Sequence, residues 1–171
     1  MYLTSDKATN AWLVHLEALK DLSILTLDSR AISDDGLCHL KGLKSLRMIS
    51  LTGTQVKGAG LAHLSGLEHV WYLNVSYTPI GDDGLAYLKA MKGLQTLVLV
   101  ETRMGDDGLV HLKGLSELQY LNLGRTEVTD SGLQQLRKLT GLLELNLENS
   151  KVTAAGVREL KKALPNLKVV R

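Results

Sequence analysis

One register repeats down this chain every 24 residues, and it constrains the fold more tightly than any other feature of the sequence. It is clearest from Leu118 to Gly141, LQYLNLGRTEVTDSGLQQLRKLTG. Leu118, Leu121 and Leu123 open the block. From Leu121 onward, apolar side chains alternate with Asn122 and Gly124, as a half-buried strand requires. A turn follows at Gly124–Arg125–Thr126, and Val128 points back inside. Leu133, Leu136 and Leu139 then recur every three residues, which predicts a short helix. Thr129 is suited to cap that helix, and Asp130 stands in its first turn, where the helix dipole favours a carboxylate. Strand, turn and helix all turn their apolar residues one way. A single block could not bury them, so the blocks must stack.

The same register runs through six blocks. One column reads Leu25, Ile49, Leu73, Leu97, Leu121, Leu145, and the next Leu27, Leu51, Val75, Leu99, Leu123, Leu147. A glycine column, Gly36, Gly60, Gly84, Gly108, Gly132, Gly156, precedes the helix leucines without a gap. With these columns the chain resembles the leucine-rich repeat family, and the phrase LxxLxLxxTxVxDxGLxxLxxL resembles its 24-residue bacterial, ribonuclease-inhibitor-like variety. The resemblance covers nearly the whole chain. It implies an α/β leucine-rich repeat solenoid, a curved right-handed array with parallel strands on the concave face and short helices on the convex face. On this reading residues 1–171 form one repeat domain. Residues 1–21 are a degenerate N-terminal unit, 22–165 six full repeats, and 166–171 the start of a seventh strand.

Composition agrees and narrows the function. A hydrophobic content of 44% is ample for a continuous core, and a net charge of +2 predicts no wholesale attraction to nucleic acid or an anionic membrane. No apolar run approaches a membrane span, and the start MYLTSDKATN lacks the basic and apolar segments of a signal peptide. Cys38 is the only cysteine, so no intrachain disulfide forms. These features lean toward a reducing, cytoplasmic setting.

The ends depart from the pattern. Leu3 falls in the strand column, Leu13, Leu16 and Leu19 in the helix columns, and Trp12 stands where glycine would be, placed to lid the first core layer. Asn10 is placed to cap that helix. Near the other end Ala163-Leu164-Pro165 reads as a one-residue insertion before the strand Leu167–Val170. The uncovered strand beyond it reads as the edge of a segment from a longer protein, since a bare parallel edge invites pairing.

Geometry turns the repeat into a binding face. Parallel strands sit about 4.8 Å apart, while packed helices need about 8–10 Å. Five steps therefore span roughly 24 Å on the strand side and roughly 45 Å on the helix side, so the array curves with its strands inside. Strand side chains alternating with the core leucines are free to vary. One such row reads Ile24, Met48, Tyr72, Thr96, Tyr120, Glu144, and the next Thr26, Ser50, Asn74, Val98, Asn122, Asn146. A third reads Asp28, Thr52, Ser76, Val100, Gly124, Glu148, and a fourth, at the strand exit, Ser29, Gly53, Tyr77, Glu101, Arg125, Asn149. Val98 and Val100 interrupt rows that are otherwise polar or small, and Tyr72 and Tyr120 flank them. The candidate partner-binding set is Met48, Tyr72, Asn74, Tyr77, Val98, Val100, Glu101, Tyr120, Asn122 and Arg125. Tyrosines carry large contact area with a polar tip, as binding hot spots do. Tyrosine and valine are also simply good strand formers on a half-exposed sheet.

Other columns are explained by repetition. Histidines 15, 39, 63 and 111 share one helix position, too far apart for one metal. The pairs Asp34-Asp35, Asp82-Asp83 and Asp106-Asp107 lack the ligand density of a calcium loop and fit helix-start electrostatics. Lys41, Lys89, Lys113, Arg137 and Lys161 fall at helix C-terminal ends, which leaves an acidic partner open on the convex face. Thr54, Thr78, Thr102, Thr126 and Ser150 read as turn-stabilising hydroxyls, a column that Arg30 breaks. No nucleophile–base pair, phosphate loop, metal or cofactor site emerges. The expected function is a non-catalytic module binding a protein or peptide on its concave sheet. The resemblance also admits a recognition segment of a larger enzyme or effector, as in ubiquitin-ligase receptors and bacterial effectors. A consensus-like engineered array with no partner is a third reading.

Overall fold

The computed structural model describes residues 2–171, with side chains from Thr4 onward. The Leu3 side chain expected in the strand column lies outside the described residues. Eight strands form one parallel sheet in strict sequence order. They are β1 (Tyr2–Ser5), β2 (Ile24–Leu27), β3 (Met48–Ser50), β4 (Tyr72–Asn74), β5 (Thr96–Val98), β6 (Tyr120–Asn122), β7 (Glu144–Asn146) and β8 (Lys168–Val170). Each strand from β2 to β8 pairs with the residues 24 positions on, as in Leu73↔Leu97 and Leu145↔Val169. Only the first step differs, with Leu3 opposite Leu25.

The register corrects one expectation. Glu144 lies opposite Lys168, so no net insertion separates β7 from β8. Leu164 and Leu167 each fall one residue late, and the shorter run from Leu167 to Val169 restores the register. The helix geometry gives the reason. In most blocks the helix leucines recur strictly every three residues, as at Leu37, Leu40 and Leu43, and three residues per turn is the 3₁₀ period. The helical segments there are accordingly short and largely 3₁₀, as at Asp34–Leu40 and Gly108–Leu112, although Asp82–Leu85 and Asp130–Leu133 form one α-turn before the 3₁₀ run. In the last block Leu160 and Leu164 are four apart, and Ala154–Ala163 is a true α-helix of ten residues.

The leucine columns make one continuous core. Leu25, Ile49, Leu73, Leu97, Leu121 and Leu145 are completely buried, as are the inward turn residues Ile32, Val56, Ile80, Met104 and Val128. Ala8, Leu13 and Leu16 join this core at the N-terminal end, while Trp12 keeps 36% of its surface exposed and so covers with one face at most. Turns between strand and helix are held from within. The hydroxyls of Thr54, Thr78, Thr102 and Thr126 donate to the carbonyls of Leu51, Val75, Leu99 and Leu123 at 2.6–2.9 Å, and Ser150 does the same to Leu147. Among the described residues no helix is long and apolar enough to cross a membrane.

A second ladder runs along the helix starts, and it revises the reading of the acidic column. The first aspartate of each pair serves the next repeat rather than its own helix. Asp106 accepts from the amide of Thr129 at 2.8 Å and from its hydroxyl at 2.6 Å; Asp130 binds Thr153 in the same two ways at 2.7 and 2.6 Å. Asp82 accepts from the Gly105 amide, and Asp34 from the amides of Lys57, Gly58 and Gly60. Asn10 leads the ladder. Its side chain makes no cap bond to its own helix, and instead its carbonyl accepts from the Ser33 amide at 2.9 Å. The glycine column is the space these carboxylates fill. A Cβ on Gly108 would stand 2.5 Å from Asp82 Oδ1 and 3.0 Å from Leu85 Cδ1. The ladder skips one step, because position 58 is glycine. Gly58 has φ +129, which an L side chain rarely adopts, and its Cα packs directly on Gly84.

Candidate partner-binding face

Of the expected set, Met48, Tyr72, Asn74, Val98, Tyr120 and Asn122 lie in β3 to β6, where the register fixes which are neighbours, while Tyr77, Val100, Glu101 and Arg125 follow in the turns at the strand exits. Thr96 pairs on one side with Tyr72 and on the other with Tyr120, and Val98 pairs with Asn74 and Asn122. Two strand steps separate the tyrosines, roughly 10 Å. Tyr72, Val98, Val100 and Tyr120 are half-buried, while their strand neighbours Leu73, Leu97, Leu99 and Leu121 fill the core. The Tyr72 ring also stacks edge-on against Trp71 with centroids 6.0 Å apart. Met48 extends the apolar row toward the N-terminal edge, since it pairs with both Tyr72 and Ile24. Ile24 is 36% exposed. Ile24 thus joins an apolar surface that the sequence alone centres on Val98 and Val100.

The polar members of the set are partly committed to their own strands. Asn122 Oδ1 accepts from the Gly124 amide at 3.0 Å, and its amide group donates to the Tyr120 hydroxyl at 3.3 Å. Asn74 and Asn146 accept in the same way from the amides of Ser76 and Glu148. Valine at position 98 cannot accept such a bond. The Val100 amide instead donates across the sheet to Ser76 Oγ at 3.2 Å, so the apolar pair leaves no orphaned donor. This compensation is why LVLV fits between asparagine-bearing neighbours.

At the strand exit the backbone enters the left-handed region. Tyr77, Glu101, Arg125 and Asn149 have φ between 54 and 58°, and Gly53 has φ 72°. Four non-glycine residues therefore hold a conformation that costs L residues free energy. This geometry sets the exit side chains outside the pleat, and Tyr77 is 52% exposed. Arg125 donates to Glu101 at 3.2 Å, and both are more than half exposed. The sequence held a signal for this turn, since Gly53 and Asn149 in one column are both residue types that tolerate positive φ. Alternation alone did not show it. Ser29 departs from the pattern, lying buried with no positive φ, and its block is the one where Arg30 replaces the turn hydroxyl.

The helix face also carries charge. His39 Nδ1 lies 2.6 Å from Glu17 Oε1, and this hydrogen bond holds the Glu17 carboxyl below the usual carboxylate range. Asp130 is likewise held low, first by the Thr153 hydroxyl and then by its amide. Among the described residues no three His, Cys, Asp or Glu side chains gather as a metal centre would need.

The comparisons with known proteins bear on the fold. The family model described as Leucine Rich repeat matches residues 67–89 and 116–136. A solved internalin (inlF) from Listeria monocytogenes is similar in structure, with a TM-score of 0.69 at 20% sequence identity. The alignment covers 99% of this chain and 59% of that one, so the chain spans little more than half the internalin's length. No curated protein matches the chain significantly by sequence.

Proposed function

We propose that this leucine-rich repeat protein is a non-catalytic interaction module that binds a protein or peptide on its strand face. The observation that carries the reading is the row Ile24, Met48, Tyr72, Thr96, Tyr120, brought side by side across β2 to β6. None of these side chains is needed by the core, which the alternating leucines fill. Val98 adds an aliphatic centre one position further along, and Asn74, Asn122, Glu101 and Arg125 supply a polar edge. An apolar centre with a polar rim is the anatomy of a protein interface. The whole row is about 19 Å long at one strand spacing per step, enough for a peptide or one edge of a folded partner.

Affinity capture with matched variants tests this. A protein retained by the wild type and by Lys113→Ala, and lost from Tyr72→Ala and Tyr120→Ala, is the expected result. Retention by the tyrosine variants with loss from Lys113→Ala would move the site to the helix side.

A further inference from the structure

Arg30, the residue that breaks the turn-hydroxyl column, is left unexplained by the strand face. It lines a groove of about 490 Å³ at the strand-exit edge together with Gln55, Tyr77, Pro79, Glu101 and Arg103. The charges of this edge change character along the array. In the later repeats they neutralise one another, Arg125 with Glu101 and Lys151 with Glu127. Around the groove only Glu101 is neutralised in this way. Among the described residues neither Arg30 nor Arg103 makes an ion pair; Glu101 is held by Arg125, and the exposed Asp28 of the same edge pairs with neither arginine. Two exposed guanidinium groups thus frame the exposed Tyr77 ring, which its left-handed backbone sets out from the sheet.

We propose that this groove binds an extended acidic segment of a protein partner, with two carboxylates four residues apart on Arg30 and Arg103. The proposal rests on the partner reading above and names a chemistry for one part of it. The spacing follows from the fold. Arg30 and Arg103 stand three strand steps apart, roughly 14 Å, and four residues of extended chain span roughly 13 Å. In an extended segment residues i, i+2 and i+4 point the same way. The side chain midway between the carboxylates therefore meets Tyr77 and Pro79, so an apolar residue fits there. Guanidinium groups bind carboxylates through two parallel N–H bonds, which single phosphate capture would not place at two such distant points.

The test is an NMR titration of the full chain with the blocked peptide acetyl-Glu-Ser-Leu-Ser-Glu-amide, following backbone amides and arginine Nε–H signals. Saturable shifts at Arg30, Arg103 and Tyr77 are expected. Arg30→Thr, which restores the column residue, should raise Kd about two- to fivefold, the upper part of the range for solvent-accessible ion pairs. The Gln-for-Glu peptide should bind at least as weakly, and Tyr72→Ala should bind like the wild type. No shift at millimolar peptide, equal binding by the Gln peptide, or an unchanged Kd in the Arg30→Thr/Arg103→Gln double variant overturns the proposal. So do equal shifts from inorganic phosphate, which would make this a general anion site, and loss of binding in Tyr72→Ala, which would seat the peptide on the strand face. A captured partner lost from Tyr72→Ala but held by Arg30→Thr would leave the strand-face reading standing and remove this one.

Discussion

The helix-start edge and the strand face are built from the same 24-residue repetition and use it in opposite ways. Along the helix starts a leading aspartate and a glycine recur, and Asp34, Asp82, Asp106 and Asp130 each reach across a repeat boundary, as Asp106 does to Thr129 and Asp130 to Thr153. Along the strand face, one row runs through isoleucine, methionine, tyrosine, threonine, tyrosine and glutamate, and its members are half-exposed or exposed. A column whose chemistry stays constant while its groups bond to the next block is a joint. A column whose chemistry changes block by block over a constant core is free to be read by something outside.

The largest expected effect comes from breaking the joint. Gly108→Val should cost about 1–3 kcal/mol, because its side chain must displace Asp82 and Leu85 from an already packed boundary. The measurement is the urea unfolding midpoint, and a midpoint equal to wild type would show that the glycine column is not the receptor of the aspartates. Next is Asp106→Ala, which removes two bonds and leaves the Thr129 amide without its acceptor, at about 1–2 kcal/mol. Its neighbour Asp107 stands exposed and, among the described residues, bonds to no adjacent repeat, so Asp107→Ala should stay within about 0.5 kcal/mol. Equal losses at the two positions would return the acidic pairs to simple dipole effects.

A smaller effect should follow pH. The folded-state pKa of Asp130 is depressed by Thr153, so the unfolded chain binds the proton more readily, and stability rises with pH through this range. The contribution is present above the unfolded aspartate value, about 3.9, and is lost as pH falls through the folded value below it. Asp130→Asn should flatten the acid limb of a stability–pH curve, and an unchanged limb would separate Asp130 from acid unfolding.

The skipped step at Gly58 should show itself in hydrogen exchange. The amides of Gly105, Thr129 and Thr153 each have an aspartate acceptor, whereas the equivalent Gly81 amide has none among the described residues. Gly81 should exchange fastest of the four. Slower exchange at Gly81 than at Thr129 would show that the ladder does not govern opening at these boundaries.

Much of the fold was legible because it depends on columns. Leucine periodicity alone determined the order of the strands and the partners from β2 onward, since a 24-residue period leaves little choice of neighbour, while β1 pairs with an offset of 22. The helix type was also within reach, because Leu37, Leu40 and Leu43 are spaced by three and Leu160 and Leu164 by four. What the sequence concealed were contacts running between columns. Nothing local to Asp106 says that it reaches the following block, and nothing local to Gly132 says that it makes room for that carboxylate. The candidate face was legible as rows of residues, but its exit edge was not. The left-handed residues Tyr77, Glu101 and Arg125 each precede a buried threonine that bonds back to its strand, and none of these three residue types announces a positive φ.

If joints and recognition occupy separate columns, the double variant Tyr72→Ala/Tyr120→Ala should part stability from affinity. Its unfolding midpoint and its affinity for a captured partner are to be measured on one preparation. The separation predicts stability within about 1 kcal/mol of wild type, as expected for half-exposed positions outside the core, and affinity weaker by about 2 kcal/mol or more, as for central aromatic anchors. A large loss of stability with unchanged affinity would contradict it, and would place the tyrosines among the residues that hold the array together.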